Sequence, residues 1–231
     1  LHTAYRRQRQ MCIRDRISTF RDAGGLWDKY PVEQVATPEG YQRDPALVIN
    51  FYNERRKQLL DVTPNRGHEL LAELEKNFRV TVVTQNIDNL HERAGSSHII
   101  HLHGELTKVC SSRDPYNPHY IKELKPEEYE VKLGDKAGDG TQLRPFIVWF
   151  GEAVPEIETA IQYVEKADIF VIIGTSLNVY PAAGLLHYVP REAAVYLIDP
   201  KPVDTHTSRP VHVIQKGASE GVAELKQLLG V

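Results

Sequence analysis

The apolar residues of this chain follow two periods, and the two alternate. "PNRGHELLAELEKNF" puts Leu70, Leu71, Leu74 and Phe78 on one helical face. "RVTVVT" (Arg79 to Thr84) follows, a β-branched run of the buried-strand type. "PEIETAIQYVEKA" predicts a second helix with Ile157, Ala160, Ile161 and Val164 inward. "DIFVIIG" (Asp168 to Gly174), "AAVYLID" (Ala193 to Asp199) and "VHVI" (Val211 to Ile214) are three more strands, nearly all apolar. "SEGVAELKQLL" closes the chain as a helix, with Val222, Leu225, Leu228 and Leu229 facing the core. Helices alternating with fully apolar strands predict an α/β fold, a doubly wound parallel sheet covered on both faces.

Two stretches break the alternation. Residues about 25–63 read as amphipathic helix. Residues about 105–145 are rich in Lys, Glu, Asp, Gly and Pro and have no strong period. Both are expected to leave the sheet and form a small inserted helical and irregular lobe. Within the first, "DPALVINFYNERRKQLL" starts with an N-cap, Asp44, and a proline in the first turn. Val48, Tyr52, Arg55 and Leu59 then share one face. A guanidinium in that stripe needs an anion, because an uncompensated buried charge is very costly. A protein carboxylate and a ligand carboxylate are the two candidates.

Composition narrows the function classes. The 231 residues are 41% hydrophobic and 26% charged, with a net charge of −3. These values suit a globular domain and offer no broad basic surface for nucleic acid. No apolar run approaches the roughly 20 residues of a membrane span, and no secretory signal is visible. Cys12 and Cys110 are too few for a disulfide framework, so a cytoplasmic protein is expected. The arginine-rich start, Leu1 to Arg16, carries no strand pattern. It is expected to be foreign to the domain or disordered, with the domain proper spanning 17–231.

In open parallel sheets, ligands bind beyond the carboxyl ends of the strands. Gln85, Asn86 and Asp88 leave the strand ending at Thr84 as a cluster able to hold hydroxyls and an amide. Asn86 or Asp88 could equally cap the helix beginning near Asn89. His101 and His103 alternate with Ile100 and Leu102 as on an extended segment, and Gly104 follows. A histidine there suits a general base, although a structural histidine is the commoner case. His98, His101, His103 and Cys110 match no common zinc spacing. Gly174, Thr175 and Ser176 end another strand with small and hydroxyl groups suited to phosphate or ribose. Asp199 ends the next strand, where a carboxylate can accept from ribose hydroxyls. Glycines follow the last strand in "QKGASEG". Four consecutive strand ends together point to a nucleotide.

From about Ile17 onward the chain resembles the sirtuins, NAD-dependent protein lysine deacylases with a Rossmann-like domain. "TFRDAGGLW", "TQNIDNLHERAG", "HLHGEL", "VWFGEAVP", "GTSLNVYPAAGL" and "KGA" match that family's blocks in order. The resemblance implies that His103 is the catalytic base. It implies that Gln85, Asn86 and Asp88 hold the nicotinamide ribose and carboxamide, with Ile87 lining the nicotinamide pocket. Phe20 and Arg21 would belong to a cofactor-binding loop, and Gly174, Thr175 and Ser176 to phosphate and ribose contacts. Asp199, where the family more often has Asn, would meet the adenosine ribose. Lys216, Gly217 and Ala218 would edge the adenine. Val148, Trp149, Phe150, Gly151 and Glu152, with Asn178, Val179 and Tyr180, would clamp the substrate backbone as an added strand.

The implied reaction transfers the acyl group of a modified lysine to ADP-ribose. The acyl oxygen attacks the nicotinamide ribose, nicotinamide leaves, and His103 then takes a ribose-hydroxyl proton. Tyr52 and Arg55 match the Tyr-x-x-Arg signature of sirtuins that remove acidic acyl groups. Arg55 would pair with a succinyl or malonyl carboxylate and, before substrate arrives, face an open, wet pocket. Acylated lysine side chains are the expected partners of a monomer that binds neither nucleic acid nor membrane.

Two departures from the family pattern alter the expectation. Four zinc thiolates cannot come from one chain with Cys110 as the small lobe's cysteine, so no zinc is expected. The apolar strand and Gly-Ala-Gly-Ile-Ser turn that precede the family's Thr-Phe-Arg text are replaced by Leu1 to Arg16. This leaves an alternative: a catalytically impaired chain that binds acyl-lysine peptide but NAD only weakly.

Overall fold

The computed structural model describes residues 30–174, 182–202 and 207–231. Leu1 to Arg16, Phe20, Arg21, Thr175, Ser176 and Asn178 to Tyr180 lie outside the described residues.

The large lobe is the α/β alternation expected from the pattern. Its strands are β1 (Val82–Thr84), β2 (Ile99–His101), β6 (Ile169–Ile173), β7 (Ala194–Ile198) and β8 (His212–Ile214). Among the described residues they form two parallel ladders, β1–β2 and β6–β7–β8. Ile100 and Leu102 from the first meet Ile172, Val195 and Leu197 from the second in one buried cluster. Helix α6 (Ile157–Val164) adds Ala160 and Val164 to it, with Ile157 and Ile161 packed alongside. On the other face, α4 (Arg66–Leu74) brings Leu70, Leu71 and Leu74 against Val222 and Leu225 of α7 (Ala218–Leu228). Each such apolar side chain contributes about 1.5–3 kcal/mol on burial.

Leu228 departs from expectation, being 58% exposed. Helical geometry gives the reason. Val222, Leu225 and Leu229 follow an i, i+3, i+7 stripe, whereas i+6 falls about 90° from its centre.

The stretch at 32–60 is helical as expected: α1 (Val32–Val35), α2 (Pro38–Arg43) and α3 (Pro45–Leu60). Asp44 Oδ1 accepts from Leu47 N at 2.9 Å and caps α3. Val48, Tyr52, Arg55 and Leu59 are all buried, but so are Ile49, Phe51, Asn53 and Arg56. Helix α3 is therefore enclosed on more than one face.

Residues 105–145 hold more order than their composition suggests. Strand β3 (Gly104–Ser111) runs antiparallel between β4 (Lys122–Glu123) and β5 (Leu143–Ile147). Asn53 ties this sheet's far loop to α3, donating to Val131 O at 2.8 Å and accepting from Val131 N at 3.0 Å. Ser111 and Thr141 both donate to Asp139. Those bonds, Thr141's first, push the Asp139 pKa down to about 2. Cys110 is fully buried, and burial pushes its thiol up to about 12. Among the described residues, packing and these bonds tie the small lobe together.

Under the end of β1, His68 and His91 stack edge to face at 4.7 Å, each 1% exposed. His68 closes a capping box with Asn65 at the start of α4. Burial, then the charge of His68, pushes the His91 pKa down to about 4. Between about pH 6.5 and 4 the unfolded chain therefore binds a proton at this position that the folded chain does not. His91 is expected to cost stability as pH falls through that window, by on the order of 3 kcal/mol at its lower end. His91→Phe should flatten the urea-midpoint curve between pH 7 and 5. Parallel curves for variant and wild type would refute this.

Candidate active site

The expected residues converge beyond β1 and β2. Thr84 ends β1, and its hydroxyl accepts from Asn86 N at 3.0 Å, turning the chain sharply. Gln85, Asn86, Ile87 and Asp88 form the loop between β1 and α5 (Leu90–Ala94). Asp88 Oδ1 accepts from Leu90 N at 3.1 Å in a turn just before the helix, whose N-cap residue is Asn89. Burial raises the pKa of Asp88 against that bond and the nearby histidines. Asn89 Oδ1, one residue on, is buried without a hydrogen-bond partner among the described residues. Unspent polar groups on a strand-end loop fit a polar ligand such as a ribose amide.

His103 sits in the turn between β2 and β3, so the extended reading holds for His101 and stops there. Gly104 makes the turn possible: its φ is 79°, and a Cβ would collide with the Phe146 carbonyl oxygen. His103 Nδ1 lies 3.1 Å from the Gln85 carbonyl oxygen. A carbonyl can only accept, so Nδ1 carries the proton and Nε2 the basic lone pair. His101 is different. Nδ1 donates to Asn86 O, and Nε2 meets the Glu92 carboxylate at 2.6 Å. Burial opposes its charged form, but Glu92, with Glu105 and the Asn86 carbonyl, raises its pKa. With an acceptor at each ring nitrogen, His101 has a structural role, and His103 is the candidate base.

The segment expected to clamp a substrate backbone joins this turn directly, as Val148 N donates to His103 O at 3.0 Å. Phe150 is 51% exposed and Gly151 takes a left-handed φ of 92°. Trp149 points inward at 2% exposure. Its Nε1 donates to Tyr52 Oη at 3.1 Å. Glu152 turns its carboxylate inward onto Arg144, at 2.8 and 2.9 Å.

Arg55 lies beside Tyr52 but is only 6% exposed. Among the described residues, the open, wet pocket expected around it is therefore not seen. Phe51 and Tyr52 of α3 are packed against Val35, Leu106, Ile147 and Trp149 in one buried cluster. Arg56 had no place in the sequence reading because it falls off the Val48–Tyr52–Arg55 stripe. It donates to Leu106 O at 2.8 Å and to Asn53 Oδ1 at 2.8 Å. Leu106 N in turn donates to Ile87 O at 2.7 Å. Arg56 thereby fixes the strand that holds the Gln85–Asp88 loop. Arg144 was also missed, since its partner Glu152 lies across a turn with no periodic signal.

The remaining strand-end residues sit where expected. Gly174, with φ 61°, follows β6 and donates its N–H to Ile198 O at 3.0 Å. Asp199 follows β7, and its Oδ1 accepts from Lys201 N at 2.8 Å. Lys216 pairs with Glu224 at 2.7 Å, and Gly217 caps α7, whose first residue is Ala218.

A parallel α/β scaffold with a candidate histidine base and amide groups at its strand ends is the architecture of a nucleotide-dependent enzyme. The chain belongs to the Sir2 family, whose model matches residues 12–181, and is thus an NAD-dependent protein deacylase. It is 92% identical over 213 residues to an NAD-dependent protein deacylase of Bacteroides thetaiotaomicron, covering 92% of this chain and 91% of that protein. A Helicobacter pylori protein of the same description is 50% identical over 209 residues, 90% of this chain and 89% of its own length. Among solved structures, a Sir2 homologue in complex with NAD superposes with a TM-score of 0.79 at 35% identity, covering 93% of this chain and 83% of that one. No helix of the described residues is long and apolar enough to cross a membrane.

Proposed function

We propose that this chain removes acyl groups from protein lysines with NAD as co-substrate, and that it favours succinyl and malonyl over acetyl groups. Gln85, Asn86, Ile87 and Asp88 hold the nicotinamide end, with Phe20 and Arg21. Gly174, Thr175 and Ser176 hold phosphate and ribose, and Asp199 with Lys216, Gly217 and Ala218 the adenosine end. NAD supplies a ribose carbon with nicotinamide as leaving group. His103, oriented through Gln85, takes the ribose-hydroxyl proton on Nε2. Val148 to Glu152 and Asn178 to Tyr180 flank the peptide as an added strand. On this reading the active unit is a monomer. The scarcity of cysteine suits a cytoplasmic setting.

The acyl preference rests on the surroundings of Tyr52. Its side chain is buried, and burial pushes its pKa up to about 12. The bond from Trp149 and the charges of Arg144, Arg55 and Arg56 oppose that rise. Arg55 and Arg56 lie near this buried hydroxyl, while the charge of Arg144 is matched by Glu152, so the wall leans positive. An acetyl group gains nothing from that charge, whereas a distal carboxylate does.

Arg55→Met keeps the stem and removes the charge. Hydrogen bonds to charged groups contribute roughly 1.5–3 kcal/mol, so kcat/KM on succinyl- and malonyl-lysine peptides should fall on the order of 10- to 100-fold. The acetyl peptide should lose far less. Equal losses on all three peptides, with a lower melting temperature, would show that Arg55 serves an internal ion pair instead.

A further inference from the structure

Trp149 is held on three sides. Its backbone N–H donates to Glu152 Oε2 at 2.8 Å. Its ring lies under the Arg144 guanidinium, 3.6 Å from the ring centroid. Its indole N–H ends on Tyr52 Oη. Arg144 is fixed in turn by Glu152 and by the Ile147 carbonyl, at 2.8 Å. The indole has one donor and no acceptor, and it has been aimed at one phenol.

This constrains the phenol. A hydroxyl has one proton to give and accepts through its lone pairs. With Trp149 donating into one lone pair, the orientation of the phenol is fixed and its proton stays available to an acceptor. A carboxylate oxygen is such an acceptor. The donor itself comes from a residue 97 positions away in the chain, on the segment that also presents Phe150 to the surface.

We propose that Trp149 is a positioning residue for acyl-group selection: it fixes the hydroxyl of Tyr52 as a hydrogen-bond donor aimed at the distal carboxylate of an acidic acyl group. The Arg144–Glu152 pair is the brace that holds the indole in that orientation. This inference rests on the acidic-acyl reading given under Proposed function. It adds a residue outside the Tyr-x-x-Arg pair, acting through Tyr52.

The test separates the two. Trp149→Phe keeps a ring beneath Arg144 and removes the N–H. The succinyl-to-acetyl ratio of kcat/KM should fall about 3- to 10-fold, mostly through KM, the size expected for one lost neutral hydrogen bond. In a Tyr52→Phe background the same substitution should leave the ratio where Tyr52→Phe alone puts it, because the two residues act through one contact. A merely structural role would lower both substrates together and act additively. The contact has its own readout: the chain holds two tryptophans, Trp27 and Trp149. In 15N-labelled protein, Tyr52→Phe should move one indole N–H resonance and leave the other in place. A wild type with no acidic-acyl preference overturns the reading under Proposed function and this inference with it. A wild-type preference that Trp149→Phe leaves intact, additive effects, or an unmoved indole resonance overturns the inference alone.

Discussion

His103→Ala is expected to lower NAD-dependent deacylation about 10²- to 10⁴-fold, the usual loss on removing a general base. The bond to the Gln85 carbonyl assigns the proton to Nδ1 and the lone pair to Nε2, so the ring is poised to accept a proton. Removing it should leave the fold intact. The turn is held by backbone bonds, Leu102 N to Thr84 O and Val148 N to His103 O, and neither needs the imidazole. The neighbouring histidine supplies the control. His101 spends both ring nitrogens on Asn86 and Glu92. His101→Ala should cost stability more than chemistry. Single-turnover rates and melting curves on both variants decide the matter. Near-normal turnover in His103→Ala would remove His103 from the base role.

What could be read from the sequence follows from which signals are local. The strands at 82–84, 169–173 and 194–198 were legible because a buried parallel strand is a continuous apolar run, and 212–214, though largely exposed, carries the same apolar text. The N-cap at Asp44 was legible because capping acts within three residues. His103 could be placed at a strand end, but its tautomer could not, since that depends on a carbonyl 18 residues away. The antiparallel sheet at 104–147 was missed for a related reason. Its pairing joins β3 to β5 across a loop of charges and glycines, and no short period marks it. The Tyr52–Arg55 stripe predicted burial correctly, yet the enclosure of Arg55 was invisible. The groups closing over α3 come from the Trp149 segment, far along the chain.

The brace that closes that wall carries the second large effect. Glu152→Ala is expected to destabilise the protein by about 3–5 kcal/mol, because it strands a buried guanidinium. The side chains of Arg144 and Glu152 are only 5% and 14% exposed, and their contact is bidentate. Neither partner can therefore turn to solvent when the other is lost. For a chain of this length the melting temperature should fall by roughly 10 °C. Surface pairs such as Arg66–Glu69, with side chains about half exposed, give the contrast. Glu69→Ala should change stability by less than about 1 kcal/mol. Replacing both partners, Arg144→Leu with Glu152→Leu, removes the stranded charge along with the pair. It should recover part of the loss of Glu152→Ala, although the bond to Ile147 O and the stacking on Trp149 go with it. Urea midpoints of the two single variants and the double variant measure the coupling. A double variant that loses the full sum of the singles would mean that Arg144 and Glu152 stabilise this loop independently, and that no brace connects them.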